Sequence, residues 1–481
     1  MLRPSLLALA AAGTFAVPGA HAVELIAIGQ LRGSFAGMEA DLSGLGGPLE
    51  NGLAGNLLGG LGSGLAWAGG STFVAVPDRG PNATAYNSLV DDTTSYIARF
   101  QTLNLALTPS APGSVLRYTL TPTLSATTLL SSATALNYGS GALGTDASRV
   151  LGSGVPALNA SRGTSYFTGR SDGFAGGSST HPDNARLDPE GVRVSRDGRS
   201  VFISDEYGPY VYQFDRATGQ RLRSFLLPDA LAVAHLGPTT PSEGKPTNTT
   251  GRVANKGMEG LAITPDGKTL VGVMQAPLLQ DKNNTIRIVT IDIASGKTSQ
   301  YAYRLTQGSG VSEITAVNSH VFLVDERDGK DRGDGSAAAV KKLFKIDLND
   351  VLDKEITGKS GDLSAFAVPK VEFLDIRKTL VDAGVGFTNA LVPAKIEGLA
   401  FGDDVTIAGD VFHTLWVAND NDFVAGVAGP NQFFVYAVSD ADLGTEFQAQ
   451  AIAAVPEPET YALMFGGLGV LGWLVKRGRQ G

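Results

Sequence analysis

Asp188-Pro189-Glu190-Gly191-Val192-Arg193-Val194-Ser195-Arg196-Asp197-Gly198-Arg199-Ser200-Val201-Phe202-Ile203-Ser204-Asp205-Glu206-Tyr207-Gly208-Pro209 reads as one complete strand–turn–strand unit. Val192 and Val194 alternate with polar residues, Arg196-Asp197-Gly198 is a tight turn, and Val201-Phe202-Ile203 is an apolar run. A turn of this kind joins antiparallel strands, so the start of the first lies beside the end of the second. Glu190 at the start and Asp205 and Glu206 at the end are thereby expected at one rim of a small sheet.

The unit recurs. Glu259-Gly260-Leu261 opens a copy with the turn Pro265-Asp266-Gly267 and the strand Leu270 to Met274. Glu397-Gly398-Leu399 opens another, leading through Leu415-Trp416-Val417-Ala418 into Asn419-Asp420-Asn421-Asp422. Ser312-Glu313-Ile314 opens a weaker one, followed by Val321 to Val324 and Asp325-Glu326-Arg327. Near the front, Asp41-Leu42-Ser43-Gly44-Leu45 precedes Phe73-Val74-Ala75-Val76 and Pro77-Asp78-Arg79-Gly80-Pro81. Glu190 and Glu259 are 69 residues apart, and Glu259 and Glu397 twice that. One supersecondary unit at a coarse period predicts an all-β propeller. Six blades with long loops are expected, with residues 111–187 supplying a blade that lacks the acidic signature.

The 481 residues carry a net charge of −9, with 61 glycines, 23 prolines and no cysteine. The acidic balance argues against nucleic-acid binding. Absence of cysteine excludes disulfides, thiolate metal sites and a cysteine nucleophile. No Gly-Lys-Ser/Thr follows the glycine-rich stretch Leu42 to Gly70, so a P-loop is excluded, and no Gly-x-Ser-x-Gly elbow occurs.

Residues 1–22 have the order of a secretory signal: Arg3, the apolar Leu6 to Val17, and Ala20-His21-Ala22 before Val23. The propeller is expected over 23–450. Residues 455–481 form a separate tail with Val455-Pro456-Glu457-Pro458, an uncharged run from Tyr461 to Val475 read as a short hydrophobic helix, and Lys476-Arg477-Gly478-Arg479. That run is short of the ~20 residues that span a bilayer. The tripartite order resembles the PEP-CTERM sorting signal of Gram-negative bacteria. The resemblance implies export, an exosortase-type processing enzyme as partner, and membrane attachment only through this segment.

In a propeller the first strand of each blade lines the central channel, so carboxylates recurring at one blade position converge there. Glu190, Asp205, Glu206, Glu259, Glu313, Asp325, Glu326, Glu397, Asn419 and Asp420 are the candidate ligands. Such carboxylates repel unless one is protonated or a cation is present. Hard oxygen donors without cysteine point to Ca²⁺ ahead of Mg²⁺ or Mn²⁺. Residue by residue, each acid also fits as a cap on a blade turn. Arg186, Lys256 and Lys395 precede three of the glutamates, and Arg79 and Arg327 adjoin two acidic ends. They read either as ion-pair partners or as an anion pocket for phosphate or carboxylate. Glu190, Glu259 and Glu397 are the candidate catalytic carboxylates for metal-assisted hydrolysis. The lone histidines His181, His235, His320 and His413 read as structural.

Asp188-Pro189-Glu190-Gly191, Ser204 to Pro209, Gly257-Met258-Glu259-Gly260-Leu261 and Asp78-Arg79-Gly80-Pro81-Asn82 together resemble the phytase-like domain family. The resemblance implies a secreted propeller and a phosphoric-ester hydrolase. Asp78, Arg79, Glu190, Asp205, Glu206, Glu259 and Glu397 match, which adds Asp78 to the candidate metal set. Met274-Gln275-Ala276-Pro277 departs from the pattern, where an acidic strand end is expected. A Ca²⁺-dependent lactonase and a non-catalytic extracellular binding or matrix propeller are the alternative readings.

Overall fold

A computed structural model describes residues 23–31, 40–49, 51–82, 93–139, 160–161, 163–171, 173–174, 179–333, 336 and 340–453. It contains five four-stranded antiparallel sheets. From the inside outwards, blade one is Gly64–Trp67, Thr72–Val76, Arg99–Pro109 and Tyr118–Leu129. Blade two is Pro189–Val194, Ser200–Asp205, Tyr210–Asp215 and Arg221–Leu226. Blade three is Met258–Ile263, Thr269–Met274, Thr285–Asp292 and Thr298–Arg304. Blade four is Gly310–Ala316, Val321–Arg327, Lys341–Asp347 and Lys370–Asp375. Blade five is Lys395–Ile407, Asp410–Asp420, Asn431–Val438 and, outermost, the N-terminal Glu24–Leu31. Pairing of Glu24–Leu31 with Asn431–Val438 stitches the front of the chain to its last blade.

The five inner strands touch in sequence, and the inner strand of blade five returns to that of blade one. The ring closes with five blades where the sequence predicted six. Among the described residues, 111–187 do not supply a blade. They give the outer strand of blade one and a small sheet of Ser131–Ser132, Thr164–Tyr166 and Ala160–Ser161. Two- and three-residue strands rich in Ser, Thr and Ala offer no apolar face to pack as a blade. The small sheet rests against blade two instead, where Ser131 N donates to Gly219 O and Arg221 to Ser132 Oγ. The expected front unit at Asp41–Leu45 is likewise displaced. The inner strand of blade one begins at Gly64, after Gly62-Ser63.

The apolar cores lie between the blades, because each strand alternates its side chains to the two neighbouring sheets. Val201 and Ile203 pack toward blade one with Val74 and Val76, while Phe202 packs toward blade three with Leu261 and Val273. A short helix, Ile376–Asp382, follows blade four and is capped by Asp375. Among the described residues no helix is long and apolar enough to cross a membrane. The expected signal and C-terminal apolar helix lie outside the described residues.

Candidate functional site

The glutamates owe their position to an irregularity repeated in four blades. In blade two Pro189 pairs with Asp205 and Val192 with Ile203, so Glu190 and Gly191 together stand against Ser204. In blade three Met258 pairs with Met274 and Gly260 with Val273, which leaves Glu259 as the extra residue. In blade five Ile396 pairs with Asn419 and Leu399 with Val417, so Glu397 and Gly398 stand against Ala418. A β-bulge leaves a residue out of the ladder and re-aims its side chain. The following glycine is required because the next inner strand is so close. A Cβ on Gly191 would meet Leu261 N at 2.5 Å, and one on Gly260 would meet Glu313 Cα at 2.7 Å.

The same register exposes a slip. In blade four Val311 pairs with Glu326 and Glu313 with Asp325, so the bulged residue is Ser312. Glu313 falls where the other blades have glycine. In blade one Gly64 pairs with Val76, which puts Ser63 in the glutamate's place. The inner ring is therefore Ser63, Glu190, Glu259, Ser312 and Glu397. At the same end, Glu206, Gln275, Arg327 and Asp420 each lie one residue beyond the partner of Pro189, Met258, Val311 and Ile396, and Asp78 takes that place in blade one.

Three carboxylates gather at this end. One oxygen each of Asp188, Glu190 and Glu206 lie within 4.8 Å of one another, and all three residues are buried. Asp188 also accepts from Arg79 N at 2.9 Å and from its Nη1 at 3.1 Å. Burial pushes the Glu190 carboxyl well above the usual range, reinforced by Glu259, Asp188, Glu206 and Glu397. Burial and then Glu259 push Glu206 up to about 8, against Arg79, Arg252 and Lys256. Burial and then Glu397 raise Glu259 to about 7, against Arg327. Gln275 donates to Glu259 Oε1 at 2.6 Å, while Glu259 Oε2 is buried without a hydrogen bond among the described residues. Arg327 Nη2 pairs with Glu397 and lies 3.8 Å from Glu259, so one guanidinium bridges blades three and five.

A second acidic group, Asp78, Asp420 and Asp422, lies at the same end. Lys395 fills it, with Nζ 2.8 Å from Asp420 and in contact with Asp422. Burial raises Asp420 to about 7 and Asp78 well above its usual value, whereas Lys395 holds Asp422 below the usual range despite its burial.

The structure thus brings Asp78, Arg79, Glu190, Glu206, Glu259, Glu397, Lys395 and Asp420 to one end, and Lys256 joins them by donating to Gln275 Oε1 at 3.0 Å. Asp325 lies close to that end, in the field of Arg327 and Glu397, and the remaining candidates lie elsewhere. Asp205 Oδ1 accepts from Asp188 N and Tyr207 N, the role of a turn cap. Arg186 turns away to Glu243 at 3.1 Å, which Arg252 also holds at 3.1 Å. Asp325 is fully buried on the second strand of blade four, and neither of its oxygens has a hydrogen-bond partner among the described residues. Burial raises its carboxyl well above the ordinary value. Glu326 takes Tyr303 Oη at 2.6 Å and Lys370 in the body of the blade. Asn419 Oδ1 accepts from Gln432 N. Glu313 pairs with Arg193 at 3.2 Å, and Arg193 also donates to Leu65 O and Ile314 O, so this pair joins the inner strands of blades one, two and four. His320 and His413 pair with Asp347 and Asp404, away from the acidic end.

Sequence reasoning missed Asp188, Ser63, Ser312, Gln275 and Asp422. Asp188 had a signal: it opens the very stretch that carries Glu190 and Glu206. The glycine-leucine-alanine run after Ser63 also matches those after Glu259 and Glu397.

A curated protein of Arthroderma benhamiae, described as an uncharacterized secreted protein, is 33% identical over 336 residues, or 62% of this chain and 61% of its own length. The chain thus spans about three fifths of that relative. Three solved structures align at low similarity. The β-propeller domain of Myceliophteria thermophila Cps50 (Swd1) is 13% identical over 47% of this chain and 50% of its own, with a TM-score of 0.22. Kuenenia stuttgartiensis hydrazine synthase is 12% identical over 77% and 79%, with a TM-score of 0.29. A luciferin-regenerating enzyme is 9% identical over 89% and 100%, with a TM-score of 0.30. A PEP-CTERM protein-sorting motif matches residues 454–480. The model for the esterase-like activity of phytase matches residues 56–423, the whole span from the approach to the first inner strand to the end of the last acidic loop, and the chain belongs to this phytase-like family.

Proposed function

We propose that the acidic end is a cation-dependent hydrolytic site and that the chain is an exported phytase-like propeller acting on phosphoric or carboxylic esters. The observation that carries this reading is the buried trio Asp188, Glu190 and Glu206, with oxygens within 4.8 Å of one another. Arg79 offsets part of the charge of three buried carboxylates this close, and protons or a cation offset the rest. The donors are all hard carboxylate oxygens, a set that fits Ca²⁺. Asp188, Glu190 and Glu206 would hold the ion, which when bound supplies charge neutralisation and polarisation of a phosphoryl or carbonyl oxygen.

The chain's own groups supply the rest. Arg327, fixed by Glu397 and Glu259, and Arg79, fixed by Asp188, offer guanidinium charge to an anionic group. Glu259, with its carboxyl raised to about 7, can take or hold a proton at neutral pH, as a general base requires. Export rests on the sorting motif and on the sequence of residues 1–22.

The test uses the full chain stripped with chelator. Ca²⁺ should raise its melting temperature and support phosphate release from phytate or p-nitrophenyl phosphate, or cleavage of a carboxylic ester, and Glu259→Gln should abolish turnover while retaining the thermal shift. A thermal shift with lactone hydrolysis alone would select the lactonase. A shift without turnover on any of these would select a binding propeller. No shift would remove the cation site.

A further inference from the structure

The inner strands run from the acidic end to the opposite mouth of the channel, and a second structure closes that mouth. Trp67, Arg193, Ile263, Thr315 and Phe401, one from each blade, surround it, and Phe447, Gln448 and Gln450 lie across them. The segment that follows blade five is held by a series of hydrogen bonds that walks around the ring. Asn318 Nδ2 donates to Thr445 Oγ1 and Glu446 O, and Gln448 N donates to Val317 O of blade four's turn. Ala451 N donates to Pro265 O in the turn of blade three. Gln450 Nε2 donates to Val194 O, and Ala453 N to Arg196 O, both in blade two. Phe447 is clamped between Phe401 and His413, at 4.5 and 4.4 Å between ring centroids, and Ile452 packs on the core between blades one and two.

This strap ends at Ala453, and the sorting motif begins at residue 454. Only residues 454–460 separate the strap from the uncharged run Tyr461 to Val475. Seven residues reach at most roughly 25 Å. From Arg196, a path to the acidic end must cross about 10 Å of outer strands and then climb the ~20 Å of a six-residue strand. The tether is too short for it.

We propose that the strap fixes the exit of the sorting tail at the sealed end, so that a membrane holding the apolar run faces that end and the acidic end points away from it toward solutes. The membrane-facing surface is then the ring of turns around Arg196 and Lys268, and access to the acidic end is from the outward side alone. This is independent of whether the acidic end binds a cation or turns over a substrate.

The chain has no cysteine, so introduced cysteines are unique labelling points. Glu457→Cys is paired in the full chain with Lys268→Cys at the sealed end or Lys330→Cys at the acidic end, both exposed positions. Electron-spin distance measurement should find the first pair shorter by on the order of 20 Å, the length of an inner strand. The single-label chains are then placed in vesicles of phosphatidylethanolamine and phosphatidylglycerol bearing a headgroup quencher. A dye at Lys268→Cys should be quenched and one at Lys330→Cys should not. Equal or reversed distances overturn the exit. Quenching at Lys330→Cys as strong as at Lys268→Cys, or at neither, overturns the orientation.

Discussion

Removal of divalent cations should make this protein less stable as pH rises from 5 to 8, the reverse of ordinary acid denaturation. Glu190, Glu206 and Glu259 have carboxyls raised by burial and mutual repulsion, Glu206 to about 8 and Glu259 to about 7. In the unfolded chain the same groups titrate near 4.3. Between those limits the folded state binds more protons than the unfolded one, so stability is present at low pH and is lost as pH climbs through the folded values. Each excess proton costs about 1.4 kcal/mol per pH unit. The three carboxyls titrate as a coupled set, so one to three excess protons give about 1.4–4 kcal/mol per unit. With roughly 2.1 cal/mol/K of unfolding entropy per residue over some 430 residues, 1 kcal/mol moves the melting temperature by about 1 °C. Scanning calorimetry of chelated protein should therefore find these three carboxyls contributing a fall of about 1.5–4 °C per pH unit between 5 and 8, to which the other raised carboxyls, Asp78, Asp205, Glu313, Asp325 and Asp420, add in the same direction. Saturating Ca²⁺ should remove the share of the three, because the ion replaces their protons. Glu190→Gln should reduce it without Ca²⁺. A melting temperature that rises with pH across this window in chelator would refute the reasoning.

Calorimetric titration should separate the two kinds of glutamate. Glu190→Gln is expected to weaken Ca²⁺ binding by tenfold or more, whereas Glu313→Gln should leave affinity unchanged yet destabilise the fold by about 3–5 kcal/mol through the buried, unpaired Arg193. Gly260→Ala should cost several kcal/mol, because its Cβ would sit 2.7 Å from Glu313 Cα on the next inner strand, and denaturant melts will measure it. Deleting 454–481 should leave cooperative thermal unfolding intact, while deleting from Thr445 should lower the melting temperature by removing the strap.

The candidate site was partly visible in the chain because a bulge and a glycine leave a local mark. Glu190-Gly191, Glu259-Gly260 and Glu397-Gly398 carry it, and all three glutamates reach the acidic end. Glu313 lacks the glycine, and its departure was visible only once the ladder put Ser312 at the bulge. Arg186 and Lys256 look alike beside their glutamates, yet Glu243, 57 residues beyond Arg186, takes one away and Gln275 keeps the other. No local pattern encodes which distant acid captures a long side chain.

Local chemistry by itself determined the antiparallel units, their turns, the acidic strand ends and the tripartite tail, since each depends on residues within one hairpin or one short run. Tertiary structure decided the blade count, the register that makes Ser63 and Ser312 members of the inner ring, the choice of Asp188 over Asp205 beside Glu190, and the strap that seals the far mouth. Those outcomes depend on how closely neighbouring inner strands approach and where the ring closes, and that closure is a property of all five blades together.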